Sequence, residues 1–549
     1  MTEPRYHYGI IPNSRRFPRT WSDWLRPAAV VLVAVLVVSG VTTAAPWLIQ
    51  RLGCHDGLPS ADIYSSEAPD GSSECVGITD GSYVFGLSAE FESVLSRIRK
   101  QNENAARACG AQPQEPVKIG VLTSLTHPNS GSRALHELEG FAAGQARANQ
   151  PGCVRPLQLL VAHTGKAEQA AVDLARRFRA NRDVMAVVGL GLSGINAANA
   201  ANVLGAPIDE NNERPVPMVS DVITAEGFDS DGTTDAHGCD YDATFRKGIG
   251  GNYFFRVSFR NGAQVDELAK YLGAGNPPMF IVTPDNQRDP YTCTTLQRVR
   301  ALYRQQQPQV QEVLFSVDNQ ATVPQVARRV CGSDQAVSVF YAARSRDLGR
   351  FLAGLAERYD RGVCEAESIT VVSTSDAARM RVPEMDKGLE TPRERALQSP
   401  AFADGRLRLL YTPLADPDVL RRGEAGGGLE FAELARLFDE LDFAPAHLDD
   451  GWAINAYDSV FTVTNAVNDL DSNQTVTRDL VRGAIAGFSA ADEKSTLSGA
   501  NGRIGFENNG NRAGAPVIVR LCPPGSAVRT HTVTTFGAPG DRTPCQGPG

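Results

Sequence analysis

The chain has 549 residues, 42% hydrophobic and 21% charged, an ordinary globular balance that excludes wholesale disorder. Its 54 Lys+Arg against 63 Asp+Glu give a formal charge of -9, the wrong sign for neutralising a phosphate backbone, so nucleic acid is excluded as a partner. The 8 His and 10 Cys show no metal-ligand spacing, so neither a metal centre nor a cofactor is expected.

The first element is PAAVVLVAVLVVSGVTTAAPWLI, residues 27–49, an uncharged run of about 22 residues that can cross a bilayer. Arg5, Arg15, Arg16, Arg19 and Arg26 precede it and only Arg51 follows closely, so residues 1–26 are expected in the cytoplasm and the large domain outside the cell. Three forms of cleavage compete with an uncleaved anchor. Thr42-Thr43-Ala44 resembles a signal-peptidase site, Leu52-Gly53-Cys54 a lipoprotein box, and Ser14-Arg15-Arg16-Phe17 a twin-arginine signal. The domain is exported under every version, which makes disulfides the natural reading of Cys54, Cys75, Cys109, Cys153, Cys239, Cys293, Cys331, Cys364, Cys522 and Cys545.

Residues 50–86 are polar and read as a juxtamembrane stalk, and Phe91, Val94, Leu95 and Ile98 then recur at helical spacing. From Val117, short apolar runs (VKIGVLTSL, LQLLVAH, VMAVVGL) alternate with the helical segments RALHELEGFAAGQARAN and AEQAAVDLARRFRANR. That alternation builds a parallel sheet covered on both faces. It restarts with YFFRVSF, NGAQVDELAKYL, MFIVTPD, VQEVLFSV, AVSVFYAAR, SITVVSTS and LRLLYTPL, and two doubly wound sheets fit usual dimensions better than one. The break RRGEAGGG precedes two further helices, the second carrying Trp452, Ile454, Tyr457 and Phe461. Beyond about Pro523 the chain is rich in Pro, Gly and Thr and reads as a loose tail.

The cysteines echo the repeat. Cys109 and Cys153 precede the first two strands of one sheet, and Cys331 and Cys364 precede neighbouring strands of the other, so each pair falls within disulfide reach. Pairs 54–75, 239–293 and 522–545 follow with less force, by elimination and proximity.

Gly189-Leu190-Gly191-Leu192-Ser193-Gly194 is a GxGxxG that follows a strand and opens a helix, with Asp209 and Glu210 about 20 residues on. A dinucleotide site would need that acid at the end of the second strand, and here it precedes the strand PVPMVS. The exposed N–H groups of a helix start beside the Ser193 hydroxyl suit a carboxylate instead. Asp229, Asp231, Asp235, Asp240 and Asp242 share a loop without EF-hand spacing, and read as a solvated insertion. His447 beside Asp449 and Asp450 has no nucleophile at hand and reads as a surface helix start.

Across residues 112–521 an ordered series of patterns resembles the leucine/isoleucine/valine-binding protein family of ABC importers. It runs from VKIGVLTSL and LEGFAAGQARAN through VVGLGLSGINAANA, VPMVSDVITAEGF and VSVFYAARSRDLGRFLAGLAE to WAINAYDSVFTVTNAV and GANGRIGFENNGNR. Cys75-Val-Gly-Ile-Thr-Asp-Gly-Ser ahead of it looks like membrane-anchored actinobacterial members. The resemblance implies an α/β type I periplasmic-binding fold, two doubly wound parallel-sheet lobes joined by a hinge and preceded by one transmembrane helix. It places lobe I at 112–258 with 428–495 returning to it, lobe II at 259–427 with 496–522 near the hinge, a stalk and helix at 50–111, and a tail at 523–549. It implies a solute receptor without catalysis, taking an amino acid or other carboxylate and serving an ABC permease. A membrane-tethered sensor with a signalling partner, and an extracellular enzyme, are the alternatives. Carried over residue by residue, Ser193, Val222 and Thr224 hold the ligand head group in lobe I. In lobe II, Tyr291 matches the family's Asp-x-x-Tyr-Gly loop at longer spacing and with Thr292 for the glycine. Asp376 falls near the acid that meets a ligand ammonium, and Arg344 and Ser345 replace aromatic residues, which invites an acidic ligand.

Overall fold

The computed structural model describes residue 54, residues 62–535 apart from short stretches at 111–113, 236, 240–241, 273–277, 305–309, 424–427, 472 and 527, and residues 538–539 and 545. The chain divides into a unit ending at Ser65 and a second unit from Ser66 to Gly549, with a strand, Ile63–Glu67, running across the boundary. The expected membrane segment 27–49 and its cytoplasmic flank lie outside the described residues. Among the described residues no helix is long and apolar enough to cross a membrane.

Among its described residues the second unit contains two large sheets and a two-stranded hairpin. The first has strands β1 Ser73–Thr79, β2 Val117–Thr123, β3 Leu157–His163, β4 Val184–Gly189, β5 Met218–Ser220 and β6 Phe254–Arg256. Their order is β1-β3-β2-β4-β5-β6, parallel except for β1, which pairs antiparallel to β3 with Gly77 opposite His163. Helices α1 Ala89–Asn104, α2 Arg133–Ala148, α3 Ala171–Ala180 and α4 Ile195–Gly205 accompany it. The strands are runs of Val, Ile, Leu and Ala buried on both faces, as a doubly wound sheet requires.

Residues 73–79, expected within a stalk, instead form β1 of this sheet, and the expected helix over 91–98 joins the same lobe as α1. Asn102 of α1 donates to the Leu159 carbonyl at 2.8 Å and accepts from the Leu159 N–H at 2.9 Å, which ties the helix to β3.

The second sheet has β7 Phe280–Pro284, β8 Gln311–Phe315, β9 Val337–Tyr341, β10 Ile369–Ser373 and β11 Leu407–Tyr411, all parallel, in the order β11-β10-β9-β7-β8. One face packs under α7 Val323–Val330, α8 Leu348–Asp360 and α9 Lys387–Leu397, and the other under α5 Asn261–Leu272 and α6 Pro290–Val299.

The chain then returns to the first lobe. Helix α10 Gly428–Glu440 leads to α11 Trp452–Asn468, which packs along α2, and to α12 Arg478–Gly487 beside β4. Closeness between α2 and α11 depends on two glycines. A Cβ on Gly140 would stand 2.2 Å from the Ala453 carbonyl oxygen, and one on Gly144 2.7 Å from Val460 Cβ.

A short hairpin, β12 Leu497–Gly499 with β13 Gly502–Ile504, precedes a last crossing to the second sheet. There β14 Ile518–Leu521 pairs antiparallel to β11, β15 Thr530–Thr535 pairs to β14, and β16 Ala538–Pro539 to β15. The tail is thus partly a sheet edge: the β-branched Thr and Val residues of THTVTT supply a strand despite the Pro and Gly nearby. Bridges 109–153, 331–364, 239–293 and 522–545 are all present. Cys54 and Cys75 are also disulfide-bonded.

Candidate ligand-binding site

The carboxyl ends of both parallel sheets face one cleft between the lobes, where open α/β sheets bind ligands. On the lobe I side β4 ends in three successive residues with positive φ, Gly189 (88°), Leu190 (83°) and Gly191 (75°). Gly191 has a second reason to lack a side chain, since a Cβ there would lie 2.4 Å from Glu168 Oε1. The turn delivers Ser193, 1% exposed, to the start of α4. Ser193 Oγ accepts the N–H groups of Thr224 at 3.0 Å and Ala225 at 3.1 Å, fastening the loop after β5 to the loop after β4.

Neither the Ser193 hydroxyl proton nor Thr224 Oγ1 has a hydrogen-bond partner among the described residues. Val222 lies in an apolar patch with Leu192, Leu414 and Trp452, and its N–H is taken by the Asp221 carboxylate at 2.9 Å.

The lobe II residues meet this turn directly. Arg344 donates from Nη2 to the Ser193 carbonyl at 3.2 Å and grips Asp289 through Nε and Nη2 at 3.1 and 3.0 Å. Its guanidinium lies 4.3 Å from the Tyr291 ring centroid, a favourable cation–π distance. The Tyr291 hydroxyl shares a 2.5 Å hydrogen bond with Thr374 and accepts from the Asp376 N–H at 3.3 Å. Burial in first place, then the nearby Asp376 charge, pushes that phenol up to about 12. Asp376 accepts the Ser345 N–H at 2.6 Å, while Ser345 Oγ is buried with no partner. Ser193, Thr224, Tyr291, Arg344, Ser345 and Asp376 therefore form one continuous network, and Val222 flanks it.

Four further features have no local sequence signal. Arg133, at the start of α2, reaches across from lobe I to Asp376 at 2.8 Å, with side chains 1% and 6% exposed. It also donates to the Ser130 and Asn129 carbonyls and lies 4.6 Å from the Trp452 ring centroid. Burial alone would raise the Asp376 carboxyl, but Arg133, Arg344 and the Ser345 N–H together hold it below the usual range. Asp289, the N-cap of α6, is shared between the helix and Arg344. Two more bonds close the cleft: Arg379 Nη1 donates to the Asn129 carbonyl at 2.9 Å, and Ser132 Oγ to the Pro383 carbonyl at 3.2 Å.

The other two features are acidic. Glu168 accepts the Leu192 N–H at 2.8 Å, and burial raises its carboxyl to about 7 against the opposing pull of that bond and of Arg344. Glu137 and Asp221 are both fully buried, and burial, with the neighbouring Asp221 in the case of Glu137, lifts both carboxyls well above the usual range.

The remaining candidates have structural occupations. Asp229 accepts the N–H groups of Asp231 and Gly232 at 3.0 and 2.7 Å and the Asn511 amide at 2.9 Å. Among the described residues no His, Cys, Asp or Glu group could hold a metal, and Asp240 lies outside them. His447 is not a plain surface residue. It stacks on His136 at 4.1 Å and bonds Glu139 at 2.7 Å, while His136 bonds Asp450 at 2.7 Å.

No protein-family profile and no curated protein matches the chain. Solved structures do. A solute-binding protein of an ABC transporter from R. palustris, in complex with 4-hydroxybenzoate, aligns at 11% identity over 78% of this chain and 99% of its own, with a TM-score of 0.54. The branched-chain amino acid transporter substrate-binding protein of Streptococcus pneumoniae, in complex with isoleucine, aligns at 15% identity over 76% and 99%, with a TM-score of 0.50. A solute-binding protein from Rhodopseudomonas palustris BisB5, in complex with 3,4-dihydroxybenzoic acid, aligns at 13% identity over 77% and 99%, with a TM-score of 0.50. Identities this low speak to architecture alone, and the architecture agrees over nearly the whole of each neighbour: the chain has the two-lobed type I periplasmic-binding fold.

Proposed function

We propose that this chain is an extracellular solute-binding receptor for a small carboxylate, an amino acid or an aromatic acid, serving an ABC importer. One observation carries the reading. Hydroxyls with no acceptor among the described residues stand on Ser193 and Thr224 of lobe I and on Ser345 of lobe II, at the carboxyl ends of the two sheets where Arg344 joins the lobes through the Ser193 carbonyl. Neutral donors of this kind recognise a carboxylate without importing a charge that would itself need desolvation. Arg344 and Asp289 neutralise each other, as do Arg133 and Asp376, so neither of these guanidiniums is an unpaired cation. Both Asp376 oxygens are engaged, by Arg133 and the Ser345 N–H, so the carboxylate end is the part of the ligand that the cleft reads. The three solved neighbours named above each hold a carboxylic acid, which supports the same class.

The proposal includes a cell-membrane location, with residues 27–49 as a single uncleaved span, the N-terminus inside and the receptor outside. A reporter fused after Gly53 should be active only outside the cell and one fused before Arg15 only inside; the reverse pattern would refute the orientation. The ligand assignment is tested by native mass spectrometry of the full chain after incubation with an extract of small acids. One bound molecule carrying a carboxylate, lost in Thr224→Val, is expected. Retention of a molecule without any carboxylate would refute the assignment.

A further inference from the structure

At the amino ends of the lobe II strands, opposite the cleft, a polar row interrupts an otherwise apolar sheet face. Phe340, Val372, Leu410 and Ile518 carry that face into the core beneath α5 and α6. Two residues away on each strand, and therefore on the same face, stand Ser338, Thr370, Arg408 and Arg520. The register aligns them: Ser338 lies beside Thr370, Thr370 beside Arg408, and Arg520 opposite Leu410 and His531. Helix α5 stops short at Tyr271 and Leu272, which wall a cavity of about 550 Å³ over the row.

The two arginines converge. Both guanidiniums lie near the point where a Cβ on Gly405 would stand, Arg520 Nη2 at 3.2 Å and Arg408 Nε at 3.7 Å. Arg408 donates to the Gly405 carbonyl at 2.7 Å, whereas the Arg520 side chain has no hydrogen-bond partner or ion pair among the described residues, and its Nε is buried. No Asp or Glu among the described residues lines the cavity. Burial and the neighbouring Arg408 charge both lower the Arg520 pKa, the direction expected for an uncompensated cation. Like charges brought together on a half-buried face are unfavourable unless an anion sits between them.

We propose that this cavity is a second site, distinct from the cleft, which binds a small oxyanion of the phosphate or polycarboxylate class. Arg408 and Arg520 supply the charge, and Thr370 and Ser338 the neutral donors. Calorimetry on the full chain in detergent, with inorganic phosphate and then citrate as probes and sodium chloride matching ionic strength, tests it. Saturable one-to-one binding is expected, weakened about 10- to 150-fold by Arg520→Met and by Arg408→Met. Arg408 is exposed, so its variant keeps the test valid should Arg520→Met fold poorly. Three results would overturn the proposal: no binding of either probe, binding indifferent to both arginines, or binding lost in Thr224→Val but kept in Arg520→Met. The last would place the anion in the cleft.

Discussion

Arg133 and Asp376 make the most exacting test of how the lobes are held together. Each belongs to a different lobe, they meet at 2.8 Å, and their side chains are 1% and 6% exposed. Removing one partner of such a pair leaves the other charge buried and typically costs about 3–5 kcal/mol. Arg133→Met keeps the aliphatic stem against Trp452 but deletes the cation and its bonds to Ser130 and Asn129. Asp376→Asn keeps the shape but strands the guanidinium. Because the partners sit on opposite lobes, the cost falls on the joined state, shifting the ratio of joined to parted lobes by a factor on the order of 10²–10³ in each single variant. Single-molecule energy transfer between dyes on residues 210 and 318, both exposed, reads that ratio directly. The double variant, which buries no lone charge, should recover at least about 2 kcal/mol of the summed penalties. Acid should act in the same direction. The Asp376 pKa lies below its unfolded value, so its contribution is complete above the usual carboxylate range and is lost as pH falls below it. Unchanged distance distributions in both single variants, or strict additivity in the double, would show that this pair does not hold the lobes together.

Further expectations concern the cleft and the framework. Ser193→Ala deprives two buried N–H groups of their acceptor, so it should cost about 1–3 kcal/mol in urea denaturation as well as weaken ligand binding. An unchanged midpoint would contradict the fastening role. Glu168 titrates near 7 when folded and in the usual range when unfolded, so its ionisation should cost up to about 3 kcal/mol as pH rises from 5 to 8. The same charge should weaken an anionic ligand over that range, and Glu168→Gln should flatten both profiles, as melting and calorimetric titrations across pH will show. Removing bridge 331–364 with paired serines should cost about 2–5 kcal/mol, read as the shift in denaturation midpoint against wild type.

Much of this architecture is legible in the sequence because it is locally encoded. Runs such as VKIGVLT and ITVVS are buried on both faces, and their alternation with amphipathic helices admits few topologies. The 109–153 and 331–364 bridges follow from the same repeat. Long-range pairing is where the signal stops. Arg133 and Asp376 are 243 positions apart, and Arg344 and Ser193 151, so nothing in their neighbourhoods marks them as partners. Ser193 stood out because a glycine turn at a strand end must expose its backbone. Its second role, holding the Thr224 and Ala225 N–H groups, depends on the distance between two loops that periodicity does not encode. Helix α1 was visible as a helix, but its attachment to β3 through Asn102 rests on one polar side chain that looks solvent-facing in isolation.

We propose that lobe I reads a ligand carboxylate through its Ser193 and Thr224 hydroxyls. Thr224→Val tests it most directly, since it keeps the shape and the backbone bond to Ser193 and removes only one donor. Calorimetry with the captured ligand should show affinity falling about 10- to 150-fold, with the melting temperature nearly unchanged. Equal affinity in wild type and Thr224→Val would place the ligand away from this pair of loops.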